Sequence, residues 1–244
     1  MATPFLSARW EDLILVTYRV PDELLAPLVP AGLELDRYDG SACASLVGFR
    51  FLSTRVFGLR WPFHTNFPEF NLRYYVRETN TPSPRRGVMF VREYVPRRAI
   101  AWTARLIYNE PYRFAPMTEE LRSAGGDRFA RYGLRVHGRE HAVQVESDPE
   151  PSTPKPGTIE HFFKEHQWGF GVTRRGRVID YEVRHPTWAV YRPRGWHVDV
   201  DWRALYGPGW RVMQDAEPLS VVHAVGSGVE VHPARTDRLT PSAS

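Results

Sequence analysis

The sequence predicts one α+β domain built mainly from antiparallel strands, with a few short helices at its periphery. Three observations carry that reading. Apolar or alternating runs recur along the chain, Gly-, Pro- and Asp-rich turns separate them, and only brief helical patterns interrupt them. With 42% hydrophobic and 13% aromatic residues in 244, the chain can bury a sizeable core.

Trp10 to Val20 reads as a strand, with Leu13, Leu15 and Thr17 alternating against Ile14, Val16 and Tyr18. Pro21-Asp22-Glu23 opens a short helix, because proline suits a first turn and acids suit its positive end. Leu24, Leu25 and Leu28 form its apolar stripe, and Pro30-Ala31-Gly32 ends it. Leu33–Asp36 and Ala42–Leu52 are strands around Tyr38-Asp39-Gly40. Further strands are expected at Asn71–Glu78, Gly87–Tyr94 and Ile100–Tyr108, with a Pro/Ser-rich hairpin loop over 80–86. Thr118, Glu119 and Glu120 predict a capped helix that Gly125-Gly126 terminates. Strands resume at Gly133–His137 and His141–Ser147, and the four prolines between Asp148 and Gly157 mark an extended surface loop. Thr158 caps a helix to about Gln167 with Phe162 and Phe163 inward; Val178–Arg184 and Trp188–Tyr191 are strands parted by His185-Pro186. Asp199–Leu205 reads as a short helix and 219–232 as a β segment, with a frayed tail from Pro233. The whole chain, 1–244, reads as a single domain.

No window approaches 18 consecutive apolar residues, so no transmembrane helix and no membrane partner is expected. Met1 to Phe5 carry neither a basic n-region nor an apolar h-region, which predicts a cytoplasmic protein. The single cysteine, Cys43, excludes an internal disulfide and reads as inert core. Net charge is +4 and the pI about 9.3, but the basic residues are scattered among 28 acids, so no nucleic-acid partner is expected. Lys155 and Lys164 are the only lysines among 32 basic residues. The nine histidines show no metal-binding spacing, and there is neither a P-loop nor a dinucleotide fingerprint, so no metal and no cofactor is expected.

Three stretches carry a family resemblance: W-E-D-L-I-L-V-T-Y-R-V-P-D-E-L-L-A-P-L-V-P-A-G-L-E-L-D (10–36), F-P-E-F-N-L-R-Y-Y-V (67–76) and A-R-L-I-Y-N-E-P-Y-R (104–113). They resemble acetoacetate decarboxylase-like proteins. The E-x-N-x-R-x-Y-V strand, the A-R-x-x-Y-x-x-P-Y segment, the G-T-x-E-x-F helix and the later H-P-x-W most resemble the YqjF-like branch of uncharacterised bacterial proteins, domain of unknown function 2071. The resemblance implies a curved antiparallel sheet closing into a cone or barrel around a central pocket, and a homo-oligomer. It also exposes a departure. True decarboxylases of the family form an imine through a lysine, whereas the matching positions here are Tyr112 and Arg113, and the two lysines lie outside the matched strand. Schiff-base decarboxylation is therefore not expected.

Glu69 begins a strand where the resemblance implies a pocket carboxylate; an ion pair with Arg73 or Arg105 is the structural alternative. Asn71 and Arg73 follow at i+2 and i+4 on the same face, with Glu69 and Arg73 about 13 Å apart along the strand. Three polar residues on one face suit a polar pocket or a solvated surface. Tyr112 is a candidate proton donor, or packs under the following turn. Arg105 and Arg113 are candidate clamps for a carboxylate, or ion-pair partners of Glu110 or Glu93. His64, in an aromatic loop, is a candidate acid/base or a surface group. The functional expectation is a pocket for a small carboxylate or keto acid, with Glu69 and Tyr112 exchanging protons and Asn71, Arg73, Arg105, Arg113 and His64 binding the ligand. The alternative is a non-catalytic ligand-binding or structural relative.

Overall fold

The computed structural model describes residues 3–235 except 63, 80, 102–110, 165 and 174. The described chain is mostly strand: β1 (Leu6–Arg19), β2 (Leu33–Leu35), β3 (Cys43–Val56), β4 (Phe67–Glu78), β5 (Arg86–Val95), β6 (Tyr112–Phe114), β7 (Met117–Ala124), β8 (Asp127–Val136), β9 (Arg139–Ser147), β10 (Trp168–Val172), β11 (Val178–Arg184), β12 (Val190–Tyr191), β13 (Pro193–Asp199) and β14 (Ser220–Val231). Short helices α1 (Asp22–Leu25), α2 (Ile159–Lys164) and α3 (Trp202–Tyr206) flank them, with 3-10 turns at Ala26–Leu28 and Pro208–Met213.

The larger sheet runs β2-β4-β3-β1-β14-β11-β10-β5-β6, and β5 pairs again with β4, so the hydrogen-bonded path returns on itself. β5 lies parallel to β10 and to β6, which makes this a mixed sheet. A second, four-stranded sheet runs β13-β9-β8-β7. β1 is buried on both faces, which is why its middle reads as a continuous apolar run rather than a half-solvated alternation. Ile14, Val16, Leu46, Phe70, Leu72 and Tyr74 form a core with Ala130, Tyr132, Leu134, Val143 and Val145 of the smaller sheet, closed at one side by Trp202, Leu205 and Trp210. The opposite face of β1, β3 and β4 carries a separate cluster that includes Leu13, Leu15, Val47, Phe49, Phe51 and Phe67.

Several expectations need correction. The helix expected at Thr118 is strand β7, paired with β8 from Met117↔Leu134 to Ala124↔Asp127. Gly125 and Gly126 have φ of 63° and 93°, so they form a two-residue hairpin turn that only residues tolerating positive φ occupy easily, not a helix stop. The strand expected over 100–108 fails at its start: residues 98–101 are helical, and 102–110 lie outside the described residues. β2 and β3 do not pair with each other; each pairs with β4. The strand at Trp188–Tyr191 shrinks to two residues, while β10 and β13 have no counterpart among the predicted strands. Past Pro233 the chain is still held, since Arg235 exchanges backbone hydrogen bonds of 2.8 and 3.0 Å with Asp180.

Candidate functional site

The site is built by register. Glu69, Asn71, Arg73 and Tyr75 alternate along one face of β4, while Phe70, Leu72, Tyr74 and Val76 face the inter-sheet core. Across the neighbouring strands, Asn71 lies opposite Val47 of β3 and Glu93 of β5, and Glu93 lies opposite Tyr112 of β6. One row of side chains therefore crosses β4, β5 and β6 as Asn71, Glu93, Tyr112, with Glu69 one step along β4. Glu69 and Asn71 are each 3% exposed and Glu93 is 1% exposed.

Their hydrogen bonds converge on Glu69. Asn71 Nδ2 donates to Glu69 Oε1 at 2.9 Å, and the Tyr112 hydroxyl donates to Oε2 at 3.1 Å. Both carboxyl oxygens of Glu69 therefore act as acceptors. Asn71 Oδ1 is buried with no hydrogen-bond partner among the described residues. An unsatisfied buried acceptor costs about 1–3 kcal/mol, so such an atom either stores that cost or awaits a donor.

Farther along the same face the polar groups continue. Thr17 and Ser45 hydroxyls lie 2.6 Å apart, and Ser45 lies 2.5 Å from the Tyr75 hydroxyl. Arg73 donates through NH2 to the Phe163 carbonyl at 2.9 Å, and the Tyr75 hydroxyl donates to the same oxygen at 3.3 Å. Phe163 is in the last turn of α2, where carbonyls lack helical partners and attract cations. Arg73 Nε is buried with no hydrogen-bond partner among the described residues. Just beyond α2, His166 Nε2 sits 2.9 Å from Asp36 Oδ2, which also accepts from Arg86 Nε at 2.6 Å. Burial pushes His166 below the ordinary histidine range despite Asp36. Burial opposes ionisation of Asp36, but the hydrogen bonds from His166 and Arg86 outweigh it and hold the carboxyl below its usual range.

The candidates separate accordingly. Glu69, Asn71 and Tyr112 meet directly, and Arg73 shares their face while being tied to α2 rather than to Glu69. Arg113 is exposed and lies opposite Tyr94, on the other face of β6 from Tyr112. His64 sits in the β3–β4 loop with Nδ1 2.7 Å from the Pro62 carbonyl. Arg105 lies outside the described residues. Cys43 is buried, and burial pushes its thiol up to about 11.

Two groups of this region are not evident in the sequence as members of the site. Glu93 reads there only as an ion-pair partner, because counting by twos from inward-facing Val88 turns it outward. A register shift gives β5 one extra residue at Val91, since Arg73 faces Phe90 and Leu72 faces Arg92, and this turns Glu93 back inward. Lys164 lies in a helix outside the matched strand, yet it is 2% exposed. A lysine is seldom buried so fully without a partner, and Lys164 is not free of interactions. Among the described residues no group of three His, Cys, Asp or Glu is arranged to hold a metal ion.

The sequence matches the profile of domain of unknown function 2071, described as an uncharacterized conserved protein, over residues 7–227. The chain belongs to this family. Uncharacterized protein YqjF of Bacillus subtilis (strain 168) is 28% identical over 184 residues, covering 74% of this chain and 73% of that protein. Several solved structures share the fold, among them the following two. The enduracididine biosynthesis enzyme MppR complexed with pyruvate superposes with a TM-score of 0.65 at 18% identity, over 97% of this chain and 91% of its own. An acetoacetate decarboxylase-like enzyme from Sphingomonas wittichii RW1 gives a TM-score of 0.66 at 14% identity, over 96% and 94%. The DUF2071 chain thus has an acetoacetate decarboxylase-like fold, as its motifs suggested.

Proposed function

We propose that the Glu69–Asn71–Glu93–Tyr112 cluster is an acid/base site for a small carboxylate or keto acid, enclosed by the returning sheet as a cone. The observation that carries this reading is the convergence of a phenol and an amide on one buried carboxylate, beside a buried amide oxygen with no partner. Proton transfer next to a carbonyl needs a base to take the proton and a donor to meet the developing oxyanion. Glu69 serves as the base and Tyr112 as the donor. Arg73, with its free Nε, is the described cation best positioned on this face to meet a carboxylate. MppR, which shares the fold, has been solved in complex with pyruvate, and this supports a keto acid as the ligand class.

The chemistry is a lyase, hydratase or isomerase step without an imine, in a cytoplasmic homo-oligomer. Lys164 makes the imine question testable: borohydride reduction in the presence of pyruvate should leave the protein mass unchanged. A mass gain that maps to Lys164 would replace the acid/base reading with Schiff-base chemistry.

Binding is tested by thermal shift with short keto, hydroxy and carboxylic acids against matched amides. A ligand at about 100 times its Kd adds about 2.7 kcal/mol, which for a chain of this size raises Tm by roughly 5–10 °C. A shift for acids alone, lost in Arg73→Gln, supports the proposal. A flat response to every acid would favour the non-catalytic reading, in which Phe49, Phe51, Phe67 and Trp188 fill the interior beside the cluster.

A further inference from the structure

Between β3 and β4 the chain breaks two local rules at one place. Val56 and Leu59 exchange backbone hydrogen bonds of 3.0 Å each, closing a two-residue turn over Phe57 and Gly58. Their φ values are 50° and 77°, the pattern of a hairpin turn that favours Asn, Asp or Gly at both central positions. Phenylalanine at the first is a conformational outlier, because a bulky side chain rarely takes positive φ. It is also 68% exposed, with Leu59 at 65% and Trp61 at 59%. Residues held in such strained conformations cluster at functional sites, and here the strain coincides with exposure of a large aromatic side chain.

The tip is fixed rather than loose. Phe57 N–H donates to the Phe5 carbonyl at 2.8 Å, and the two rings meet edge-on at 4.8 Å. Beside it a recess of about 350 Å³ is lined by Ser53, Arg60, Pro62, Thr65 and Asn66. Within the segment charge is one-sided: from Ser53 to Pro68 the sequence carries Arg55, Arg60 and His64 and no acid, the acid in the row of Arg55 being Glu230, two strands away across Ser7. Arg55 and Arg60 are exposed, and neither forms an ion pair among the described residues.

We propose that this tip docks the protein on an anionic phospholipid surface, with Phe57, Leu59 and Trp61 entering the headgroup–acyl boundary and Arg55 and Arg60 meeting lipid phosphates. Aromatic and aliphatic side chains flanked by arginine are the composition of interfacial anchors. The polar recess around Arg60 is placed to receive a headgroup. Charge argues against a second copy as the occupant: a two-fold contact centred on the tip would bring Arg55 and Arg60 of both copies together with no acid in the segment to offset them. Surface docking departs from the expectation of no membrane partner, which rested on the lack of an apolar span. It goes beyond the interior cluster and does not depend on its chemistry.

The test is sedimentation of the full-length protein with phosphatidylcholine vesicles, with and without phosphatidylglycerol, at low and high salt. Phe57→Asn with Trp61→Ser removes the wedge while giving the strained position a residue that tolerates it; Arg55→Ser with Arg60→Ser removes the charge. The expected result is binding to anionic vesicles only, weakened by salt, with a blue-shifted tryptophan emission. Each pair of substitutions should reduce binding at least about tenfold with Tm unchanged. The proposal is overturned if the wild-type protein stays in the supernatant with every vesicle, or if both variants bind as well as wild type. It is equally overturned if sedimentation velocity reveals a dimer that Phe57→Asn with Trp61→Ser splits, since a second copy would then own the patch.

Discussion

Removing one oxygen from Tyr112 tests whether the interior cluster is a coupled unit. Tyr112→Phe deletes the hydroxyl that donates to Glu69 Oε2 at 3.1 Å and leaves the ring against its apolar neighbours. A hydrogen bond contributes about 0.5–1.5 kcal/mol, and one to a carboxylate about 1.5–3 kcal/mol. Tyr112 is only partly buried, so the lower end applies, near 1.5 kcal/mol. For a protein of 150–250 residues that lowers Tm by roughly 3–6 °C. Glu69→Gln keeps the shape but offers one acceptor to two donors. In a double-mutant cycle measured by denaturant unfolding, the two substitutions should therefore couple by about 1 kcal/mol or more. Additivity within about 0.5 kcal/mol would refute the coupling, because two groups sharing one hydrogen bond cannot be independent.

Other outcomes follow from the same geometry. His166 stays neutral in the fold because burial depresses its pKa, so between that value and about 6.5 the unfolded chain binds more protons and stability falls as pH falls. Asp36, also depressed, acts at lower pH in the same direction, its contribution being lost as pH drops through its folded value. Denaturation series from pH 7.5 to 5 should show wild type losing stability below 6.5, with His166 contributing up to about 1.4 kcal/mol per pH unit, so that the slope is shallower in His166→Gln. Cys43, with its thiol pushed up to about 11, should resist iodoacetamide at pH 8 until the protein unfolds; rapid native-state alkylation would contradict its burial. Gly126→Ala, at φ 93°, should cost about 1–2 kcal/mol in denaturant unfolding, and an unchanged midpoint would contradict the tight turn between β7 and β8.

What the sequence disclosed follows the physics of each element. β4 is legible because its periodicity is unbroken: Glu69, Asn71 and Arg73 fall on one face by counting in twos, and they do so in the fold, whereas β1 alternates cleanly only past its irregularity at Asp12, from Leu13 onward. Glu93 is hidden because one extra residue in β5 inverts that count. β7 resembles a helix because Thr-Glu-Glu followed by Gly-Gly describes a helix with caps as well as a strand entering a tight turn; only pairing with β8 decides between them. β10 is illegible because its glycines carry no strand signal. Gly169 is glycine because the Tyr181 ring lies 2.1 Å from where a Cβ would stand, a constraint set by β11 rather than by local sequence. Lys164 and His166 are near one another in the sequence, but the partner of His166, Asp36, is 130 residues away. No local pattern encodes that meeting.

The central claim, that Glu69 accepts a proton from a bound keto acid, is tested most directly by proton NMR of pyruvate in deuterated buffer. The expected result is loss of the methyl signal with wild-type protein faster than in buffer, as Glu69 takes a C3 proton and solvent deuterium replaces it, with the rate at least about a hundredfold lower in Glu69→Gln. Exchange no faster than the buffer rate, or equal in wild type and Glu69→Gln, would contradict it.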